Sequence, residues 1–155
     1  MVVAPEIELR AITPTLRVSV VSLDVEPEQR RFVAPVEHYL DLCDRPGSPW
    51  RPFAVLERGA VVGFVMHGVD PDDESAWIGG LVIDRAHQRR GIGRAVVDLL
   101  VARAAAEGRA SALSYEPANA VAKSLYERAG FAETGERDGA EVVARRPLTS
   151  AERLR

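Results

Sequence analysis

A single cysteine, Cys43, stands in the whole sequence, so no internal disulfide can form and the fold must be held by packing. No apolar run approaches the roughly 20 residues that a helix needs to cross a bilayer, which excludes a helical membrane span. The opening MVVAPEIELR has neither the basic n-region nor the long apolar h-region of a signal peptide, and with the lone thiol this predicts a cytoplasmic protein. Positive charge is not in excess: the formal net charge is −3, which argues against a general nucleic-acid binder. His38 and His87 fall into no metal-ligand spacing, Cys43 has no partner signature, and no metal is expected. Internal repeats and low-complexity linkers are missing as well.

What is present is the composition of an ordinary globular domain: 155 residues, 46% hydrophobic and 28% charged, enough chain to bury roughly two thirds of its unfolded surface. We place one domain at 1–149 and a dispensable tail at 150–155. The charge is unevenly spread. Residues 1–80 carry 13 acids against 7 arginines, a net of −6, and residues 81–155 carry 10 acids against 13 bases, a net of +3. Scattered surface charge gives such a split, and so do two ligands of opposite sign.

Glu6 to Ile12 alternates polar and apolar residues as a half-buried strand does, and Thr13-Pro14 then supplies an N-cap and a first-turn proline. Thr15 to Val25 is rich in β-branched residues, which weigh against the helix that this start predicts. Glu28 to Asp44 reads as one or two short helices broken near Pro35, and Arg45 to Pro49 as a loop. Phe53 to Leu56 and Val61 to Met66 form a predicted hairpin around Glu57-Arg-Gly-Ala60, and Ala76 to Ile83 a third apolar strand after an acidic loop. Ile92, Val96, Leu99 and Leu100 recur at the spacing of one buried helix face, in a helix that ends at Gly108. A strand over Ser111 to Tyr115, a helix over Val121 to Ala129 and two closing strands about Asp138-Gly139 complete the order. Antiparallel strands followed by strand–helix units predict an α+β or mixed α/β architecture.

The turn Gln88-Arg-Arg-Gly-Ile-Gly-Arg94 lies between a strand and a helix. A helix start leaves backbone N–H groups without partners at the positive end of the helix dipole, and Gly91 and Gly93 let an anion approach them closely. Arg89, Arg90 and Arg94 can add charged donors. The turn is equally able to do no more than reverse the chain. No P-loop string occurs, and a dinucleotide fingerprint needs a third glycine where Val96 stands.

Gln88-Arg-Arg-Gly-Ile-Gly93 matches every fixed position of the acyl-coenzyme A turn [Q/R]-x-x-G-x-[G/A] of the GNAT superfamily of N-acetyltransferases. Asn119, Ala122, Tyr126 and Gly130-Phe131 resemble that family's second motif, so the likeness spans Trp77 to Gly135. Gln29 to Pro35, Trp50 to Phe53, Gly63 to Met66, Leu113 to Pro117 and Thr134 to Glu136 further resemble the bacterial diamine and spermidine N-acetyltransferases. The resemblance implies a mixed, mostly antiparallel sheet flanked by helices, splayed between its fourth and fifth strands. It implies acetyl-CoA as cosubstrate and a small-molecule amine, with a polyamine foremost, as acceptor. Dimers are frequent in the family. Acetylation of a protein amino group or of an antibiotic amine, and a non-catalytic acyl-CoA-binding module, stand as alternatives.

Carried over residue by residue, the resemblance implies that backbone groups of Leu81, Val82 and Ile83 hold the pantetheine arm. It places Arg89, Arg90, Gly91, Ile92, Gly93 and Arg94 around the diphosphate, and Asn119 at the cofactor arm. An alkylamine of pKa about 10 is roughly one part in a thousand neutral at pH 7, so its proton must be drawn off. Tyr126 matches the family tyrosine that protonates the departing thiolate, with a packed core tyrosine as the other reading. The sequence departs from polyamine acetyltransferases at Gly79, where some carry a glutamate. Beside Gly80 this predicts a wider groove and a base acting through water, with Glu28, Glu37, Asp41, His67 and Glu74 as unranked candidates. The acidic N-terminal half is expected to build the acceptor side.

Overall fold

The computed structural model describes residues 4–155. Its framework is a seven-stranded sheet in the order β1-β2-β3-β4-β5-β7-β6, with β1 at Ile7–Ala11, β2 at Arg51–Glu57, β3 at Ala60–Val69, β4 at Ala76–Ile83, β5 at Ser111–Tyr115, β6 at Ala132–Asp138 and β7 at Glu141–Arg146. Neighbouring strands are antiparallel except for the parallel pair β4 and β5. The expected mixed, mostly antiparallel sheet is therefore the one found.

Helix α1, Pro14–Val21, forms despite its β-branched residues because its start is fixed: the Thr13 hydroxyl accepts from Leu16 N at 3.2 Å, and Pro14 occupies the first turn. Burial of Val20 adds to this, while Val18 stays 75% exposed. A short 3-10 turn at Pro27–Gln29 and α2 at Val36–Asp44 flank Pro35, as the sequence predicts. The β2–β3 connection is a two-residue loop with positive φ at both Arg58 (51°) and Gly59 (81°), the geometry whose twist matches the strands it joins.

Two cores lie on the two faces of the sheet. Val20, Leu40, Ala54, Phe64, Met66 and Val82 fill the face covered by α1 and α2. Val55, Val65, Ile78, Leu113 and Phe131 face α3, Ile92–Ala106, and α4, Ala120–Arg128. Full burial of a residue such as Phe64 contributes roughly 2–3 kcal/mol. Of the predicted helix face, Ile92, Val96 and Leu100 are buried and Leu99 half-buried, but Val97, Val101 and Ala104 are buried too. The stripe is wider than the sequence spacing suggests because α3 packs on β1, β4 and β5 and against α4 at once.

The strands part where β4 meets β5. Pairing between them stops after Ala76 with Ser111 and Trp77 with Ala112, whereas β5 stays paired to β7 from Ser111 to Tyr115. Against β3, Gly79 pairs Met66 and Val82 pairs Phe64, so Gly80 and Leu81 together oppose Val65 alone. This extra residue is a bulge, and it bends β4 away from β5. Gly80 takes φ +58°, and an added Cβ would lie 3.0–3.2 Å from the Tyr39 ring, so the bend needs a residue without a side chain.

The last segment is α5, Ser150–Arg153, started by a capping box between Thr149 and Glu152. Glu152 also receives Arg146 Nη1 at 2.8 Å, an ion pair that ties the segment read as a dispensable tail to β7.

Candidate functional site

The gap between β4 and β5 connects three pieces of local chemistry. The first is the start of α3. Its N-cap is Gly91, at φ +81°, and its first helical bond runs from Ala95 N to Gly91 O at 3.0 Å. The N–H groups of Ile92, Gly93 and Arg94 consequently emerge from the helix end with no intrahelical acceptor. Ile92 is 1% exposed and packs into the α3-side core, which anchors the start of the helix. Gln88 fastens the turn from below: its Nε2 donates to Ile83 O at 2.9 Å and to Gln29 Oε1 at 2.8 Å. The Ile83 carbonyl is thus occupied, while on the β5 side β4 has no strand partner beyond Trp77.

The arginines of the turn do not act alike. Arg89, at φ +63°, is exposed. Arg90 reaches back to β2, with Nη1 2.8 Å from Glu57 Oε1 and Nη2 3.0 Å from Oε2, and lies 3.2 Å from His87 Nδ1. Arg94 bonds Asp98 one turn along its own helix at 2.9 Å. Only Arg89 of the three has its guanidinium in no ion pair among the described residues.

The second piece is α4. Asn119 is its N-cap, accepting from Ala122 N at 3.2 Å through Oδ1, which leaves its side-chain NH₂ for another partner. Tyr126 packs its ring between Tyr115, with centroids 5.7 Å apart, and Phe131 at 6.2 Å. Its hydroxyl makes no hydrogen bond among the described residues. Burial pushes that phenol up to about 12, with the charges of Glu141 and Tyr39 adding to the rise, so the proton stays on oxygen at neutral pH. Tyr39 is on α2, which packs on β2, β3 and β4, and Glu141 is on β7 beside β5, so charges from both sides of the gap act on this hydroxyl.

The third piece is a groove of about 480 Å³ between the α1–α2 connection and the β6–β7 hairpin. Its carboxylates are Glu116, Asp138 and Glu141. Burial raises the Glu141 carboxyl above its ordinary range; Ser114 Oγ, donating at 3.3 Å, opposes this, and Asp138 and Glu116 add to it. Net charge along the chain predicts these acids in the N-terminal half, but that half supplies Arg30 and Arg31 to the groove wall. The acids come from the basic half because β7 inserts between β5 and β6, which carries the β6–β7 hairpin across to α2.

The candidate bases fare differently. Glu28, Glu37, Asp41 and Glu74 are exposed and lie outside this groove. His67 is on the other face of the sheet: it follows Val65 by two residues in β3, in phase with the α3-side core, and the charges of Glu107 and Arg103 at the end of α3 act on its ring. Its Nε2 is buried without a partner. The wider groove expected at Gly79 is absent as well. A Cβ there would stand 3.0 Å from Met66 Cε and 3.0–3.2 Å from the Trp50 ring, which already fill that space. Glu141 is not among the residues that the motifs mark; its phase with Val143, which puts a carboxylate on a buried strand face, is the signal in the sequence that singles it out.

The chain is similar to known proteins in sequence and in fold. The family model described as "Acetyltransferase (GNAT) family" matches residues 18–131. A spermine/spermidine N(1)-acetyltransferase from Bacillus subtilis (strain 168) is 27% identical over 140 residues, covering 85% of this chain and 91% of that protein. A domain from Methanocaldococcus jannaschii DSM 2661 superposes with a TM-score of 0.74 at 21% identity, over 93% of this chain and 99% of the other. An acetyltransferase from Bacillus subtilis in complex with CoA superposes with a TM-score of 0.69 at 13% identity, over 94% and 99%.

Proposed function

This chain belongs to the GNAT acetyltransferase family, and from that premise we propose that it transfers the acetyl group of acetyl-CoA to a primary amine, with a polyamine as acceptor. The observation that carries the reading is the gap itself: an unpaired β4 edge that opens at one end on the N-terminus of α3 and at the other on a groove with three carboxylates. The similarity to a spermine/spermidine acetyltransferase supports the acceptor class, and the CoA-bound fold neighbour supports the donor.

In this reading the pantetheine arm adds to the β4 edge at Leu81 and Val82 as an extra strand does, with Ile83 closing the run. The diphosphate meets the N–H groups of Ile92, Gly93 and Arg94 at the Gly91 turn, and Arg89 adds charge. Arg90 contributes its backbone, since Glu57 holds its side chain. Asn119 turns its free amide toward the arm. An N–H of β4 polarises the thioester carbonyl. Tyr126, kept protonated by burial, gives its proton to the departing sulfur, and the amine attacks directly in a ternary complex. Three carboxylates suit an acceptor with several positive charges.

The test is release of free CoA thiol from acetyl-CoA across spermidine, diamines, lysine peptides and aminoglycosides. Turnover fastest with spermidine or a diamine is the expected result. Preference for lysine peptides or aminoglycosides moves the acceptor class, and no release with any amine makes the protein an acyl-CoA-binding module.

A further inference from the structure

We propose that Glu141, at the start of β7, is the carboxylate that takes the attacking amine's proton. The proposal rests on the amine-acetylating reading above and supplies the base which that reading lacks. Position 79 of β4 is glycine, and its space is closed by Trp50 and Met66, so no carboxylate can act from there. Of the three groove carboxylates, Asp138 is exposed at the hairpin tip, Glu116 lies past the end of β5, and Glu141 alone is held from inside the sheet. Ser114 Oγ donates to it at 3.3 Å from β5, the strand that forms the far wall of the splay. Its charge also acts on the Tyr126 hydroxyl, the group that serves the leaving sulfur in that reading.

The surroundings favour proton acceptance at this place. The groups that line the groove with Glu141 are Arg30 and Arg31 before α2, His38 and Tyr39 on α2, Glu116 after β5 and Asp138 on β6, and the Glu141 charge also acts on Tyr126 of α4. The neighbouring acids hold an ammonium group in the groove, and burial makes the Glu141 carboxylate a stronger base than an exposed one. Glu141 removes one proton from the ammonium and passes it to water. The nitrogen lone pair then forms the C–N bond as the C–S electrons leave with sulfur, which takes the Tyr126 proton. The second nitrogen proton passes through Glu141 to restore Tyr126, so one proton is released for each amide and CoA leaves as the thiol.

The experiment measures kcat/KM between pH 6 and 9 for wild type, Glu141→Gln and Ser114→Ala, with acetyl-CoA affinity by calorimetry and melting temperature as folding controls. Two acceptors are compared: the best amine of the panel and a primary amine of pKa near 6, already neutral at pH 7. For Glu141→Gln, kcat/KM with the ordinary amine is expected to fall about 10²–10³-fold, the range a positioned acid or base supplies. Acetyl-CoA affinity should stay within about twofold, and the loss with the low-pKa amine should shrink below about tenfold. Ser114→Ala removes a hydrogen bond that favours the charged carboxylate, so it should move the acid limb of the profile to higher pH. Equal losses with both amines, or a Glu141→Gln rate close to wild type, overturn the proposal and leave the acetyltransferase reading standing. A wild type inactive with every amine overturns that reading, and the proposal with it.

Discussion

Arg90 and Glu57 meet in a two-point ion pair, Nη1 to Oε1 at 2.8 Å and Nη2 to Oε2 at 3.0 Å, with only 11% of the Glu57 side chain exposed. A side chain from the turn that opens α3 thereby fastens that turn to the β2–β3 hairpin. Arg90→Ala should lower stability by about 1 kcal/mol, a modest figure because the guanidinium is half exposed, and the melting temperature by roughly 2–4 °C. Arg89→Ala should leave melting unchanged and raise the acetyl-CoA dissociation constant. Calorimetry and thermal denaturation on both variants separate the two roles; a larger affinity loss in Arg90→Ala would reverse them.

Tyr126→Phe keeps the ring contacts with Tyr115 and Phe131 and removes only the hydroxyl. Turnover should drop on the order of 10²-fold while acetyl-CoA affinity and melting hold. A matching fall in affinity would make the residue a binding group.

Gly80→Ala places a methyl group 3.0–3.2 Å from the Tyr39 ring at a φ of +58°. The cost should be about 1–3 kcal/mol, and because the bulge opens the splay, activity should fall with it. Gly139→Ala has a similar φ of +59° but meets nothing within 4 Å, so it should cost only the backbone part, about 1 kcal/mol. Denaturant unfolding of the pair tests the ordering.

His67 gives a pH dependence of stability whose sign can be worked out. Burial lowers its pKa in the folded protein below the ordinary 6.5, so the unfolded chain binds the proton more readily. Its contribution is complete above pH 6.5 and is lost as the pH falls through that value. Unfolding free energies of wild type and His67→Leu, measured from pH 8 to 5, should diverge, the variant losing less on acidification. Parallel curves would remove His67 from the account.

Much of the fold is legible because its boundaries are written in local chemistry. Thr13-Pro14, Asn119, Gly108 and Gly130 start or stop helices through contacts within a few residues, and the limits of β4 and β5 coincide with the apolar runs that predict them. The Gly91 turn and Tyr126 are readable for the same reason: each belongs to a short motif of fixed spacing. What could not be read depends on partners distant in sequence. Arg90 and Glu57 are 33 residues apart, and nothing near either marks the pairing. The face that His67 takes follows from the register of β3, and the filling of the Gly79 site by Trp50 from the packing of two strands. The groove acids were sought by net charge along the chain, a quantity that strand order rearranges.

The two-residue pairing of β4 with β5 also divides the sheet into leaves. Strands β1 to β4 form one, joined by antiparallel ladders, and β5, β7 and β6 form the other. Few strand hydrogen bonds cross the seam, so cooperativity between the leaves depends on α3, which packs against strands of both. A ligand lodged in the seam would act as a stitch, raising the free energy of unfolding by about 2.7 kcal/mol at a concentration one hundred times its dissociation constant. The opening proposed for the cosubstrate is thus also the least-paired junction between neighbouring strands of the sheet, and occupancy is expected to couple the two leaves in unfolding.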